Sequence, residues 1–159
     1  SKTPYIFLAT GWGATSIRNW SPDNNELSSY TNYHLKELEK LGSKLSAVIW
    51  IQGEDDAHTG ITDYKSHFYK MKTEILQGLS IEQNVKFLIT QTSTCRSKPR
   101  DRKLNKQQIE LGNDKNTYVT EVTDSLDDGF RYDGCHFNEL GIEAIAEEIS
   151  SVLNNVLGG

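Results

Sequence analysis

Residues 45–51 and 85–91 are two nearly continuous apolar runs, and they constrain the fold more than any other feature of the chain. A strand without polar alternation must be covered on both faces. That is the environment of a parallel sheet between helical layers. Two further β-rich runs bounded by turn signals lie at 5–9 and 117–122. Between these runs the apolar residues step by three and four. Leu35, Leu38 and Leu41 mark one helix, stopped by Gly42. Tyr64, Phe68, Met71, Ile75 and Leu79 mark a second, and a more polar third spans residues 98–111. On the last helix Ile142, Ile145, Ile149, Val152 and Val156 form one stripe, with Asn138 as its N-cap. Strand and helix alternate four times. The order predicts an α/β fold, a flavodoxin-like three-layer α/β/α sandwich with a mostly parallel sheet, as a single domain over residues 1–159. Ligands of such open sheets bind beyond the carboxyl ends of the strands.

Composition removes several function classes. The net charge is −5, and basic residues are scattered apart from the run at 96–106, which reads as a solvated loop and helix start. No coherent basic face is available for a nucleic acid, whose binding draws on counterion release. No apolar stretch approaches the roughly 20 residues that span a bilayer, and the first residues lack a signal-peptide layout. Cys95 and Cys135 do not have zinc-site spacing. Both follow segments assigned to the same sheet edge, so a disulfide between them is geometrically possible. If formed, it argues for an oxidising compartment, extracellular, periplasmic or virion-associated.

Each predicted strand is followed at once by a polar cluster. These are Gly11-Trp12-Gly13-Ala14-Thr15-Ser16-Ile17, then Gln52-Gly53-Glu54-Asp55-Asp56, then Gln91-Thr92-Ser93-Thr94, and finally Arg131-Tyr132-Asp133-Gly134-Cys135-His136-Phe137. In a parallel sheet all four converge on one edge. The chemistry of the last is the most explicit. A histidine can take a proton from a hydroxyl nucleophile and return it to a leaving group. A carboxylate on its other ring nitrogen fixes the tautomer and stabilises the imidazolium. Asp133 and His136 on one short turn preset that pair. Gln52, at a strand end, can donate an amide N–H to a developing oxyanion. Gly13 can bring a bare backbone N–H to the same oxygen. The acidic triplet Glu54, Asp55, Asp56 is a poor metal site or glycosidase pair, because neighbouring loop residues point apart. Glu54 is read instead as supporting its loop. His34, His58 and His67 show no partner pattern.

Taken together, the clusters resemble the SGNH (GDSL-like) hydrolases, in particular the carbohydrate O-acetylesterases of the sialate O-acetylesterase-like and acetyl-xylan-esterase-like branch. The matching pieces are Gly13-Ala14-Thr15-Ser16-Ile17 with Trp20 and Pro22, Val48-Ile49-Trp50-Ile51-Gln52-Gly53-Glu54-Asp55-Asp56-Ala57, and Asp133-Gly134-Cys135-His136-Phe137 with Gly141. The Trp-x-Gln-Gly-Glu piece is the most specific. The resemblance implies His136 as base, Asp133 as its orienter, and Gly13 and Gln52 as oxyanion donors. Thr15, Ser16 and Glu54 are left as substrate or loop support. It implies Ser-His-Asp deacetylation of a sugar or polysaccharide without metal or organic cofactor. A second glycine often stands in the family where this chain has Ala14.

One departure is large. The family's nucleophile lies in a Gly-x-Ser-Asn segment on the first, central strand, and these 159 residues contain no such segment. Three explanations are open. The segment sits on another polypeptide, which leaves an apolar slot to be filled. The protein is a glycan-binding pseudoenzyme. Ser16 is a displaced nucleophile following a strand and glycines. The first is preferred. A flavodoxin-like nucleotide binder is a more distant rival, because residues 11–14 lack the bare glycine run and helix start of a phosphate loop.

Overall fold

The computed structural model describes residues 5–24, 26–80, 84–93, 95 and 102–158. In chain order the elements are a 3-10 turn at Ile17–Trp20, α1 (Glu26–Lys40), β1 (Ala47–Ile51), α2 (Glu54–Thr59), α3 (Tyr64–Gly78), β2 (Lys86–Thr90), α4 (Arg102–Leu111), β3 (Thr117–Thr120), α5 (Val122–Ser125), a second 3-10 turn at Asp128–Phe130, and α6 (Glu139–Leu157). The three strands form one parallel sheet in the order β1-β2-β3.

The alternation of side chains along each strand divides the core into two layers. Trp50, Ile89 and Val119 face each other across the sheet in one row, and Ile49, Leu88 and Tyr118 in the adjacent row. The first row joins Phe68, Met71 and Ile75 of α3 and Leu104 and Leu111 of α4. The second packs on Ile145 and Ile149 of α6. This is the three-layer α/β arrangement that two-sided apolar strands require. On α3, Tyr64, Phe68, Met71 and Ile75 recur at helical spacing and are all buried. Trp20 and Trp50 meet edge to face, 5.4 Å apart, tying the first 3-10 turn to β1. Asn138 caps α6 by accepting the Gly141 N–H at 3.1 Å.

Several expectations are corrected. Residues 5–9 form no strand, and Tyr5, Ile6 and Phe7 are exposed, Phe7 by 80%. A strand needs a ladder partner, and here the segment is separated from β1 by a gap of about 290 Å³ bordered by Leu8, Trp12, Val48, Ile49 and Ile51. The outer edge of β1 therefore has no strand partner among the described residues. Residues 54–56 are not loop but the first turn of α2. The fourth strand ends at Thr120 and gives way to α5. Ile142 leaves the predicted stripe of α6 and is 60% exposed, whereas Ala144, Ile145, Ile149, Val152 and Leu153 make the apolar face. Of the predicted third helix and the basic run before it, residues 96–101 lie outside the described part. Among the described residues no helix is long and apolar enough to cross a membrane.

Candidate active site

The turn before α6 is built around Asp133. One carboxylate oxygen accepts the backbone N–H groups of Cys135 and His136, at 3.0 and 2.7 Å. The other lies 2.7 Å from Nδ1 of His136. Gly134, at φ +75°, supplies the left-handed residue that closes so tight a turn. The imidazole is thus held by Nδ1, and its Nε2 edge is the one left to face a hydroxyl. The Tyr132 ring stacks on the imidazole, 15° from parallel and 5.6 Å away.

Arg131 braces the turn from within. It is buried, its guanidinium donates to the Cys135 carbonyl, to Ser93 Oγ and to the Thr123 carbonyl, and it lies 4.2 Å over the Phe137 ring. A disulfide joins Cys95 to Cys135 with Cα atoms 4.1 Å apart, anchoring the same turn to the chain beyond β2. Gly141 admits α6 to this surface, since a Cβ there would lie 2.4 Å from the Phe130 carbonyl oxygen.

The other half of the site follows β1. Nε2 of Gln52 donates to the Thr15 carbonyl at 2.9 Å and to Asp56 at 2.7 Å. Asp56 is fully buried and also accepts the Ile17 N–H at 2.8 Å and the Ser16 hydroxyl. One carboxylate therefore sets the loop around Gly13 and the Gln52 amide in register. Both Gln52 amide protons are engaged, and its Oε1 is buried without a partner. The Gln52 carbonyl accepts from Tyr64 Oη and Gln108 Nε2, each at 3.2 Å. Ala14 stands at φ +54°, in the left-handed region that favours glycine.

These two halves face one cleft of about 830 Å³, whose walls include Gly13, Thr15, Gln52, Glu54 and His136, with Asp133 behind the imidazole. Ser16 does not share it. Its hydroxyl is donated to Asp56, and it caps the first 3-10 turn, a loop-support role. Thr15 supports the same loop, donating to the Trp12 carbonyl at 2.8 Å and accepting from Trp20 Nε1 at 3.1 Å. Among the described residues no group of three His, Cys, Asp or Glu could hold a metal ion.

Charge in the cleft is set by its surroundings. The hydrogen bond from His136, then the backbone N–H of the same residue, holds the Asp133 carboxyl down at about 2. Burial pushes the Glu54 carboxyl up, opposed by its own backbone N–H and by the charges of Arg131 and His136. Because its folded pKa is depressed, the Asp133 pair is complete above the ordinary carboxylate range and is lost only as pH falls toward 2. The acid limb of a kcat/KM profile is therefore expected well above pH 2, reporting a group other than Asp133. A limb at about 2 would contradict this.

Sequence reading missed the buried amides behind Gln52. Gln108 accepts the Thr92 N–H at 2.9 Å and donates to Thr92 Oγ1 at 3.0 Å, and Asn105 donates to the Thr92 carbonyl at 2.6 Å. The available signal was Asn105 and Gln108 sharing a helical face with Leu104 and Leu111, where polar residues need a reason.

A family model described as SASA, carbohydrate esterase, sialic acid-specific acetylesterase, matches residues 2–153. No curated protein and no solved structure matches the chain.

Proposed function

The chain belongs to the sialic acid-specific acetylesterase family of carbohydrate esterases, and on that premise we propose that it removes O-acetyl groups from a carbohydrate by a Ser-His-Asp mechanism whose serine comes from a Gly-x-Ser-Asn segment outside these 159 residues. The observation that carries the reading is the 2.7 Å Asp133–His136 pair facing Gly13 and Gln52 across one cleft.

In this mechanism His136 Nε2 takes the serine proton as the serine oxygen attacks the acetyl carbonyl. Asp133 holds the imidazole in the required tautomer and stabilises the imidazolium. The N–H of Gly13 and the amide of Gln52 receive the oxyanion. For Gln52 this means that the N–H now on the Thr15 carbonyl turns to the substrate. As the tetrahedral intermediate collapses and the acetyl carbon–sugar oxygen bond breaks, His136 gives its proton to the departing sugar oxygen, and water repeats the sequence on the acetyl-serine. No metal or organic cofactor enters these steps.

The edge of β1 that has no strand partner among the described residues, the gap beside it and the exposed apolar run at 5–7 support a strand-forming segment seated there. Its serine would enter from the same edge as His136. The Cys95–Cys135 bond supports an oxidising location, extracellular, periplasmic or virion-associated. A second reading, a glycan-binding pseudoenzyme, is favoured by one observation. Ser16 and Ser93, in the loops flanking this edge, hydrogen-bond to Asp56 and Arg131.

A fluorophosphonate probe separates the two. Applied to protein that carries the Gly-x-Ser-Asn segment, on the same or a second polypeptide, it is expected to label that serine and to fail in His136→Ala. No labelling, or labelling of Ser16 or Ser93, would overturn the proposed mechanism.

A further inference from the structure

The cleft is larger than acetyl transfer requires. Its volume of about 830 Å³ is that of a site for a whole small molecule, whereas an acetyl group is only a few heavy atoms. The serine-bearing segment and the acetyl group take up part of it, and the walls indicate what fills the rest.

Of the three tryptophans, Trp20 and Trp50 are core residues, exposed by 6% and 8%, and they pack on each other. Trp12 is 64% exposed and borders both the cleft and the gap beside β1 in which the strand-forming segment is proposed to sit, so its cleft-facing side is the one left for a ligand. Leaving so large an apolar ring in water forfeits the burial that fixes the other two. Exposed apolar surface rimmed by polar groups is characteristic of ligand grooves. The ring is not on a loose loop. The Trp12 carbonyl accepts from Thr15 Oγ1, Thr15 is held by Trp20, and the Thr15 carbonyl is held by Gln52. The backbone that carries the ring is preorganised, which limits the ordering cost of binding. Ile51 and Phe137 add apolar surface to the same cleft, and α2 adds the carboxylates of Glu54 and Asp55.

A pyranose has matching chemistry. Its C–H face is apolar and rests on an aromatic face, while its hydroxyls at the ring edge donate to carboxylates. Resting on the esterase reading above, we infer that Trp12 is the stacking wall of a sugar subsite beside His136, with the ring of the acetylated pyranose on the indole and its hydroxyls directed to Asp55.

Two measurements test this. In protein carrying the nucleophile segment, the ratio of kcat/KM for an O-acetylated oligosaccharide to that for ethyl acetate is expected to fall about tenfold in Trp12→Ala. Trp12→Phe, which keeps a ring, should restore most of it. A ratio that Trp12→Ala leaves unchanged would overturn the subsite. In protein carrying the nucleophile segment, titration with deacetylated xylo- or gluco-oligosaccharide is expected to shift the tryptophan emission to the blue and to protect it from iodide, and Trp12→Phe should abolish both effects. Emission and quenching that stay unchanged at saturating sugar would also overturn it. If neither ester is turned over while the sugar still protects Trp12, the esterase reading fails and the subsite stands.

Discussion

Gly53→Ala is expected to lower the melting temperature by about 10 °C or more. Gly53 has φ +146°, a region that residues with a Cβ rarely enter. An alanine Cβ would lie 1.8 Å from Thr92 Oγ1, and 3.0 Å from Gln108 Nε2. Neither neighbour is free to move. Thr92 and Gln108 are buried and hydrogen-bonded to each other, and Gln108 also holds the Gln52 carbonyl. Backbone strain and overpacking each cost about 1–3 kcal/mol. Their sum is a large share of the roughly 5–15 kcal/mol that stabilises a domain. Gly13→Ala is the control, because a Cβ there meets nothing within 4 Å. Thermal melts followed by circular dichroism distinguish the two, and a Gly53→Ala melt that overlays the parent would show that the β1–α2 junction is not packed as described.

Asp133→Asn is expected to reduce kcat by about 10³–10⁴ while the protein stays folded. An asparagine can still turn its carbonyl oxygen to the N–H groups of Cys135 and His136, which keeps the turn. Its NH2 then faces Nδ1 of His136, where a carboxylate oxygen now stands at 2.7 Å. Nδ1 must become the acceptor, the ring proton moves to Nε2, and the imidazole can no longer accept a proton from serine. Steady-state turnover beside a thermal melt checks this. A kcat within tenfold of the parent, at unchanged stability, would mean that Asp133 serves only the turn.

The layered fold was legible because apolar run, helical stripe and turn residue all agreed. The uninterrupted Ala47–Ile51 and Lys86–Thr90 runs required cover on both faces, and α3 and α6 supply it. The strand expected at 5–9 was not found, because propensity cannot provide a ladder partner. Asp133 and His136 were readable since their partnership spans three residues and needs no tertiary information. The Asp56 network was not, because it joins positions 15–17 to 52–56 across the fold. Nothing in the spacing of Ser16 and Asp56 announces a shared hydrogen bond.

The central claim is that His136 is the base of a serine esterase. The direct measurement is aryl acetate turnover by His136→Ala, in protein that carries the Gly-x-Ser-Asn segment and melts like its parent. The expected result is a kcat reduced by about 10³-fold or more, with only the residual rate that the oxyanion donors and substrate binding still provide. Turnover equal to that of the parent would contradict it.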